Sequence, residues 1–350
     1  MVLIDFGGQL ENVVTREEFP LEYASKVIAD AVISDLGYGI QGRGQSLNLR
    51  DNGFQVYVGQ RPSGRHYNQA LADGWVPGAN LLSVDEAAER ADIVQFLLTD
   101  SGQKEYWPRL KELLKPGNTL VFSHGFGIVY KDQTGIVPPK DVDVVLVAPK
   151  GSGTSVRRNF LAKTGINSSY AVWQDATGQA EEKVKALGIG IGSGYLFPTT
   201  FENEVHSDLT GERGVIMGAL AGIMEAQYDT LRAHGHSPSE AFNETVEELT
   251  ESLIKLISEK GMDWMYNNCS ETARIGALRW GPRFRDTVRP LFEALYESVV
   301  SGEESRIVLA RSKEPDFKAG LDAELYRMRD SEMWKAGATV RSLRPDAEKK

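Results

Sequence analysis

Residues 31–58 read AVISDLGYGIQGRGQSLNLRDNGFQVYV, a strand-like run, a glycine-rich turn, a helix-like stretch and a second strand-like run. Within this stretch Gly37, Gly39 and Gly42 fit the pattern G-x-G-x-x-G. Glycines at this spacing permit a tight turn and let backbone N–H groups approach a pyrophosphate at the N-terminus of a helix. The motif alone is weak evidence in a chain with 35 glycines, but its position between two strand-like runs predicts a dinucleotide-binding fold.

The loop after the second run, Phe54–Val58, bears on the choice of dinucleotide. A site that prefers NAD usually offers an acid there for the ribose 2′-hydroxyl, yet no Asp or Glu occurs from residue 54 to residue 66. Arg61, Ser63 and Arg65 follow instead, and such side chains suit a 2′-phosphate. These residues predict NADPH as the cofactor, and the alternative is an exposed basic loop without a ligand.

Two polar residues, Ser34 and Asp35, do not fit the strand that should precede the glycine motif. A strand buried on both faces is usually a continuous apolar run. We therefore expect this first strand to be shorter than usual or shifted along the sequence.

The rest of the first half alternates strand-like runs with helical stretches. This order predicts a parallel sheet covered by helices on both sides, the doubly wound Rossmann-like class, for an NADPH-binding domain over residues 1–203. The predicted strands are Phe54–Val58, Ile93–Leu98, Thr119–Phe122, Val142–Val147 and Tyr170–Trp173, and the helices include Tyr106–Leu114 and Ala180–Leu187.

From about residue 205 long helical patterns replace the strand-like runs, which predicts an all-α metal- and substrate-binding domain over residues 204–350. Ser237 can cap one of these helices, since Pro238 suits the first helical position and Glu240 follows three residues after the cap. Ser312–Pro315 is predicted to be a linker. The predicted helices are Gly211–Ala233, Pro238–Lys260, Pro282–Gly302 and Asp316–Ala336.

Composition argues against several classes of protein. Of the 350 residues 41% are apolar, but no run of about 18 apolar residues occurs, so no membrane span is expected. A formal charge of −10 without a basic block argues against a nucleic-acid partner, and the single cysteine, Cys269, excludes an internal disulfide. Residues 1–14 contain no Arg or Lys, so we expect no signal or transit peptide and a bacterial cytoplasm, although a processed mitochondrial protein would look the same.

Two pairs of acids at helical spacing lie in the second half, Asp208 with Glu212 and Glu244 with Glu248. Residues at i and i+4 share one helix face, so each pair can direct two carboxylates to one point. Hard oxygen ligands of this kind suit Mg²⁺. The alternative is a solvated charged face, which the further acids around the second pair favour.

Six segments of the chain occur in the order and spacing of one known family: GYGIQGRGQSLNLRDNGF (37–54), FSHGFGIVY (122–130), DVDVVLVAPKGSGTSVR (141–157), SDLTGERGVIMG (207–218), HSPSEAFNETVEELTESL (236–253) and NCSETARIGAL (268–278). By these segments the chain resembles the ketol-acid reductoisomerase family over residues 6–345, in its short form with a single helical domain. Three further segments, WVPG, GINSSYAVWQDATG and GMDWMY, are most similar to the fungal and Bacteroidetes branch of the family.

The resemblance implies a role for each matching position. Catalytic roles fall on His124 and Lys150, and contact with substrate on Ser270. Two Mg²⁺ ions would be held by two acid pairs, the second supplied by the partner subunit of a homodimer or larger homo-oligomer: Asp208, Glu212, Glu244 and Glu248. The positions that match NADPH contacts are Tyr38, Gly39, Ile40, Gln41, Arg61, Ser63, Asp100, Ser101, Gly102, Gln103 and Gly153.

The reaction implied is the Mg²⁺-dependent alkyl migration of 2-acetolactate or 2-aceto-2-hydroxybutyrate, followed by reduction with NADPH to a 2,3-dihydroxy acid in valine and isoleucine biosynthesis. The resemblance also implies a knotted helical domain. Two other functions stay open: a metal-independent 3-hydroxyacid dehydrogenase, which also joins a dinucleotide fold to helices, and a catalytically silent NADPH-binding protein. The four intact acids argue against the silent protein.

Overall fold

The computed structural model describes residues 2–345, and the chain divides into two compact units, Met1–Ser207 and Asp208–Lys350. The strands of the described part are β1 (Val2–Asp5), β2 (Leu10–Thr15), β3 (Ile33–Leu36), β4 (Val56–Gly59), β5 (Leu81–Leu82), β6 (Ile93–Phe96), β7 (Thr119–Phe122), β8 (Asp143–Pro149), β9 (Ser168–Gln174) and β10 (Tyr195–Pro198). All of them belong to the first unit.

The helices of the first unit are α1 (Leu21–Val27), α2 (Ile40–Asp51), α3 (Arg65–Ala72), α4 (Val84–Arg90), α5 (Asp100–Leu113), α6 (Phe126–Val129), α7 (Lys131–Thr134), α8 (Gly153–Leu161) and α9 (Ala180–Gly190). Helix α10 (Phe201–Gly211) contains the unit boundary. The second unit continues with α11 (Gly218–Ala233), α12 (Pro238–Phe242), α13 (Ile254–Lys260), α14 (Met262–Asn267), α15 (Glu271–Val300), α16 (Glu303–Arg311), α17 (Phe317–Asp330) and α18 (Glu332–Ser342). Two π-helical stretches, Asn243–Glu247 and Leu249–Leu253, lie between α12 and α13, and a kinked segment, Glu212–Ile216, lies between α10 and α11.

The strands form one sheet in the order β1-β2-β10-β9-β8-β7-β6-β3-β4-β5. Strands β3 to β8 pair in parallel, as the doubly wound class requires. The sheet as a whole is mixed, because β9 runs antiparallel to β8 and β2 runs antiparallel to both β1 and β10. Strand order reverses at β3, which lies between β4 and β6, and ligands of such sheets bind at the carboxyl ends of the strands near that reversal.

The central part of the sheet is buried on both faces, which is why its strands there are largely apolar runs. On one face Ile33 and Val121 pack with Leu47 of α2 and Leu187 of α9. The other face holds the second core of the unit, in which Leu36, Phe96 and Phe122 pack with Ala87 of α4 and Trp107 of α5. The two cores fix α2 over β3, and this places the glycine turn at the carboxyl edge of the sheet.

Strand β3, which precedes the glycine motif, contains the two polar residues that do not fit a buried apolar strand, Ser34 and Asp35. It covers four residues and ends directly before Gly37, and both Ser34 and Asp35 are fully buried in it. The Ser34 hydroxyl donates a hydrogen bond to the Ala87 oxygen at 2.7 Å, so this side chain is satisfied inside the core. The strand is therefore short, as expected.

The predicted strand Thr119–Phe122 coincides with β7, and the other predicted strands and helices of this half differ from the observed ones at their ends. Four strands were not predicted: β1, β2, β5 and β10. Strand β5 has only two residues, and β1 is exposed along its whole length, so neither has a buried apolar pattern that a sequence would reveal.

The second unit is helical throughout its described part, as predicted. Ser237 caps α12 by accepting a hydrogen bond from the Glu240 N–H at 3.2 Å, with Pro238 at the first helical position. The linker Ser312–Pro315 lies between α16 and α17. The single helix predicted over Asp316–Ala336 is wrong, because Ser331 has extended backbone angles and caps α18. Residues 346–350 of the predicted helical domain lie outside the described residues. In the range 2–345 we find no helix with the length and apolar character of a membrane span.

Candidate functional site

The glycine-rich turn between β3 and α2 has the geometry of a dinucleotide-binding turn. Gly37 has a φ of +107°, which other residues rarely adopt. A Cβ at Gly42 would lie 2.0 Å from the Gly37 oxygen, so the helix can approach the turn only with glycine there. A Cβ at Gly39 would meet no protein atom within 4 Å. The N-terminus of α2 therefore faces open space, where its N–H groups and dipole favour an anion.

The loop that follows β4 is tied to this turn. The Tyr38 N–H donates to Gln60 Oε1 at 3.0 Å. Beyond Gln60 the loop is exposed from Arg61 to Arg65, and Ser63 has a φ of +78°, in the left-handed region that residues other than glycine seldom occupy. The loop thus presents two arginines beside the turn.

Two of the predicted cofactor residues have side chains that turn into the protein. The Tyr38 hydroxyl donates to Asp73 Oδ2 at 2.8 Å and accepts from Trp75 Nε1 at 2.8 Å. Gln103 Nε2 donates to two backbone oxygens at the end of β6, those of Phe96 at 2.9 Å and Leu98 at 3.1 Å. Contacts of Tyr38 and Gln103 with a dinucleotide would therefore use their backbone atoms.

The other predicted cofactor positions lie at helix N-termini along the carboxyl edge of the sheet. Asp100 and Ser101 open α5, whose cap is the Thr99 hydroxyl, which accepts from the N–H of Gly102 at 3.2 Å. Gly153 opens α8, and a Cβ there would lie 1.9 Å from the Ile40 oxygen. The N-termini of α2, α5 and α8 therefore follow the ends of β3, β6 and β8, where anionic groups bind favourably.

A buried glutamate, Glu204 of α10, brings the two predicted catalytic residues together. His124 follows β7, and its Nδ1 lies 3.1 Å from Glu204 Oε2. Lys150 follows β8, and its Nζ donates to Glu204 Oε1 at 3.1 Å. The Gly125 N–H donates to Oε2 at 3.1 Å. Since the Glu204 side chain is only 1% exposed, these three contacts replace its water.

The protonation state of Glu204 follows from its partners. Burial alone would raise the pKa of its carboxyl, but the hydrogen bond and charge of His124, the charge of Lys150 and the Gly125 N–H outweigh that effect and lower the pKa. Glu204 is therefore an anion that can fix the His124 tautomer and hold the Lys150 ammonium in place.

Helix α10 adds a further carboxylate one turn after Glu204, that of Asp208. Four residues separate Asp208 from Glu204, so the two carboxylates share one face of α10. Glu212 follows four residues later, at a kink in which Gly214 has non-helical backbone angles, with a φ of −84° and a ψ of −130°. The first predicted acid pair therefore continues the helix that carries Glu204.

The second predicted pair, Glu244 and Glu248, differs from the acids beside it. Glu247 forms two hydrogen bonds of 2.7 Å with Arg344, and Glu251 bonds to Lys255 at 2.7 Å. Glu244 and Glu248 are exposed, and neither carboxylate has an ion pair or hydrogen bond within residues 2–345. Glu247 and Glu251 therefore form ion pairs on the helix surface, whereas the carboxylates of Glu244 and Glu248 have no partner among the described residues.

Comparison with known proteins decides the family. The profile of the acetohydroxy acid isomeroreductase NADPH-binding domain matches residues 27–195, and that of the ketol-acid reductoisomerase C-terminal domain matches residues 201–346. A ketol-acid reductoisomerase (NAD(+)) of Desulfosudis oleivorans is 63% identical over 100% of this chain and 99% of its own length. The chain belongs to the ketol-acid reductoisomerase family. Its activity is that of a ketol-acid reductoisomerase of branched-chain amino-acid biosynthesis, with a nicotinamide nucleotide as cofactor.

Other members of the family are similar over most of the chain. A mitochondrial ketol-acid reductoisomerase of Neurospora crassa is 53% identical over 99% of this chain and 86% of its own length. The structure of an NADH-preferring ketol-acid reductoisomerase from an uncultured archean superposes with a TM-score of 0.86 at 30% identity, covering 95% of this chain and 99% of that one. The fold of this reductoisomerase is therefore the family fold.

Within this reductoisomerase the predicted substrate residue, Ser270, caps α15. Its hydroxyl accepts a hydrogen bond from the Ala273 N–H at 3.2 Å and is exposed. A capping hydroxyl keeps a fixed orientation and retains a lone pair and its proton. Contact with substrate stays a prediction for this residue.

Sequence reasoning missed Glu204, the residue on which the His124 and Lys150 geometry depends. One signal was available: Glu204 precedes Asp208 by four residues and Glu212 by eight, so all three repeat on one face of a helix. The pairing with His124 and Lys150 joins residues that are 80 and 54 positions away, and no local pattern predicts it.

Proposed function

We propose that this reductoisomerase converts 2-acetolactate or 2-aceto-2-hydroxybutyrate into a 2,3-dihydroxy acid with NADPH and two Mg²⁺ ions. The nucleotide would bind to residues 1–203, and the metal ligands would come from residues 204–350: Asp208, Glu212, Glu244 and Glu248. The observation that carries the proposal is the buried Glu204 with His124 and Lys150, beside the turn and strand ends where a dinucleotide fits.

The donor set fits the implied metal. Carboxylate oxygens are the ligands that Mg²⁺ prefers, and the four proposed ligands offer no thiolate. When bound, the two ions would polarise the hydroxyl and ketone oxygens of the substrate, and NADPH would supply the hydride. Asp208 and Glu212 stand one turn apart along the chain that leaves Glu204, and Glu244 and Glu248 have carboxylates without partners in the described residues.

The chain's own groups have complementary roles. His124 can hold or pass a proton at the ring nitrogen that faces away from Glu204, because Glu204 occupies Nδ1. Lys150, held by the same carboxylate, supplies a positive charge for an anionic oxygen of the substrate. Ser270, at the N-terminus of α15, would orient the substrate by a hydrogen bond.

Metal removal tests this proposal directly. Oxidation of NADPH in the presence of 2-acetolactate is expected to require Mg²⁺ and to stop after treatment with EDTA, because the rearrangement depends on Lewis-acid polarisation. A metal-independent 3-hydroxyacid dehydrogenase would keep its activity in EDTA, and a silent NADPH-binding protein would show no turnover under either condition. Re-addition of Mg²⁺ controls for irreversible damage by the chelator.

The preference for NADPH over NADH is a separate part of the proposal. It rests on two arginines, Arg61 and Arg65, and on the lack of a carboxylate from residue 54 to residue 66. NADH is a second candidate, because the Desulfosudis relative carries the name NAD(+) and the archaeal structure is described as NADH-preferring. The two cofactors differ only at the ribose 2′ position, so this loop decides between them.

Substituting Arg61 tests the cofactor preference. Arg61→Ala is expected to lower kcat/KM for NADPH on the order of 10- to 100-fold and to leave NADH almost unchanged, since a charge-assisted hydrogen bond contributes about 1.5–3 kcal/mol. Arg90→Ala is the matched control, because Arg90 ends α4 at the opposite edge of the sheet. If Arg61→Ala keeps the same NADPH-to-NADH ratio as the unchanged protein, Arg61 does not read a 2′-phosphate.

We also propose that the enzyme assembles as a homodimer or larger homo-oligomer, with Glu244 and Glu248 reaching the site of the partner subunit. Apolar side chains exposed on α15 support an interface: Ile275, Leu278, Phe284 and Leu291 are each more than 60% exposed. The proposed compartment is a bacterial cytoplasm, with the mitochondrial matrix as the alternative that the name of the Neurospora relative suggests.

A further inference from the structure

Asp35 is an acid in the core of the nucleotide-binding unit. It is the third residue of β3, its side chain is fully buried, and neither carboxylate oxygen has a hydrogen-bond partner. The Ser46 hydroxyl of α2 faces Asp35 and favours its charged form, but this hydroxyl also donates to the Arg43 oxygen at 3.4 Å. A buried ionised carboxylate without a partner would be strongly unfavourable.

Gln95, the neighbour of Asp35 on the adjacent strand, also has a buried oxygen without a hydrogen-bond donor. Asp35 is in register with Gln95 of β6 in a parallel pair, so the two side chains leave the sheet on the same face. Gln95 Nε2 donates to Gln45 Oε1 of α2 at 3.0 Å, which confirms that this face is the one under α2. Gln95 Oε1 is buried and has no donor. Three buried acceptor atoms on the two neighbouring side chains thus have no donor: Asp35 Oδ1, Asp35 Oδ2 and Gln95 Oε1.

A proton on Asp35 would remove its buried charge and give Gln95 Oε1 a donor, because a protonated carboxyl group has one O–H donor. Burial raises the pKa of Asp35 well above its usual range, and no charged group opposes this effect. The charged side chains of α2 interact with groups other than Asp35. Arg43 forms an ion pair with Asp73, Arg50 donates a hydrogen bond to the Asp73 backbone oxygen, and Asp51 forms an ion pair with Arg157. Strands β4 and β6 contain no charged residue.

A chain of amide hydrogen bonds leads from this pair to the strand ends. Gln45 Nε2 donates to Ser123 Oγ at 2.8 Å, and Ser123 directly precedes His124. The same Nε2 donates to Gln41 Oε1 at 3.2 Å, and Gln41 Nε2 donates to the Gly151 oxygen at 2.9 Å, next to Lys150. Each amide can satisfy its partners in only one orientation, so the orientation of Gln95 determines that of Gln45 and Gln41.

We propose that Asp35 is a neutral carboxylic acid that donates its proton to Gln95 Oε1 and, through Gln95 and Gln45, positions the backbone segments that carry His124 and Lys150. Asp35 is thus a positioning residue of the reductoisomerase, remote from the reacting atoms. Its effect on turnover rests on the proposed roles of His124 and Lys150, whereas its protonation does not.

Infrared difference spectroscopy tests the protonation independently of activity. The spectrum of the unchanged protein minus that of Asp35→Asn at neutral pH is expected to show the carbonyl band of a protonated carboxylic acid, with the small downshift in D₂O that an exchangeable proton gives. Carboxylate bands in place of the carbonyl band would overturn the proposal. Since the measurement needs no substrate, a failure of the His124 assignment would leave it unchanged.

The pH dependence of unfolding gives a second measurement. A carboxyl whose pKa is raised in the folded state contributes its full stability below its unfolded pKa, about 3.9, and loses it as the pH rises toward the folded value. Relative to Asp35→Asn, the unfolding equilibrium constant of the unchanged protein is therefore expected to grow about tenfold per pH unit above about pH 4. Parallel pH profiles for the two proteins would contradict the proposal.

The kcat values of two Asp35 variants distinguish a positioning role of Asp35 from a role in core packing alone. Asp35→Asn keeps a donor of the same shape and is expected to retain kcat, whereas Asp35→Val leaves Gln95 Oε1 without a donor and is expected to lower kcat by up to about tenfold, with KM for the nucleotide unchanged. Ser34→Ala is the matched control, because it removes a buried hydrogen bond on the opposite face of the same strand. Equal kcat values for the Asn and Val variants would refute the positioning role.

Discussion

Glu212→Gln is expected to abolish the rearrangement of 2-acetolactate and to spare much of the reduction of an already rearranged 2-keto acid. The amide keeps the size of the side chain but removes the negative charge that a divalent cation requires. Because Lewis-acid polarisation contributes several kcal/mol, we expect kcat for the full reaction to fall on the order of 1000-fold. Oxidation of the nicotinamide cofactor, measured with each substrate in turn, gives both rates.

The same helix offers a control for this substitution. Glu202 lies on α10 and is exposed, and its carboxylate forms no ion pair or hydrogen bond among the described residues, so Glu202→Gln removes one charge from the same helix without changing a proposed site residue. It is expected to leave both rates unchanged. Near-complete retention of both activities in Glu212→Gln would refute the assignment of Glu212 as a metal ligand.

Mixed oligomers extend the test to the second acid pair. If Glu248 serves the site of the partner subunit, co-expression of Glu212→Gln and Glu248→Gln chains gives mixed dimers in which one of the two sites is intact. Random assembly would then restore about one quarter of the full activity, although each variant alone is inactive. No recovery in the mixture would indicate that both pairs serve the same subunit.

The sequence predicted the centre of the fold well, for a physical reason. Strand β7, Thr119–Phe122, is buried on both faces, so its apolar run marks its ends. Strands β1 and β2 were not predicted, because β1 is exposed and β2 buries only Val13 and Val14, so neither strand has a regular alternation of buried and exposed residues. The antiparallel direction of β9 depends on the path of the chain between strands, which a pattern within one strand does not encode.

The glycine turn was predictable from sequence, because a tight turn before a helix requires glycines at fixed spacing. The two acid pairs were recognised by the spacing of i and i+4 on a helix, and their role as metal ligands stays a prediction. Which acids of residues 240–251 form ion pairs and which do not was not predictable from sequence. The distinction depends on Arg344, which lies 97 positions from its partner Glu247. Glu204 was missed for the same reason, since its role comes from contacts across the tertiary structure with residues after β7 and β8.

Glu204→Gln is expected to have the second large effect. The neutral amide can accept only one of the two charged contacts, and its NH₂ group faces a donor, so both His124 and Lys150 lose their fixed positions. General acid–base groups contribute at least about 100-fold, and we expect kcat to fall by that order, with little change in KM for the nucleotide. Steady-state kinetics with 2-acetolactate measure both constants.

The pH dependence of stability separates this role from a packing defect. The folded-state pKa of Glu204 is lowered, so its contribution to stability is present above the unfolded value, about 4.3, and is lost as the pH falls through the lower folded value. The stability difference between the unchanged protein and Glu204→Gln is therefore expected to shrink on acidification. A variant that loses stability in this way but keeps its kcat would show that Glu204 holds the fold without positioning His124 and Lys150 for the reaction.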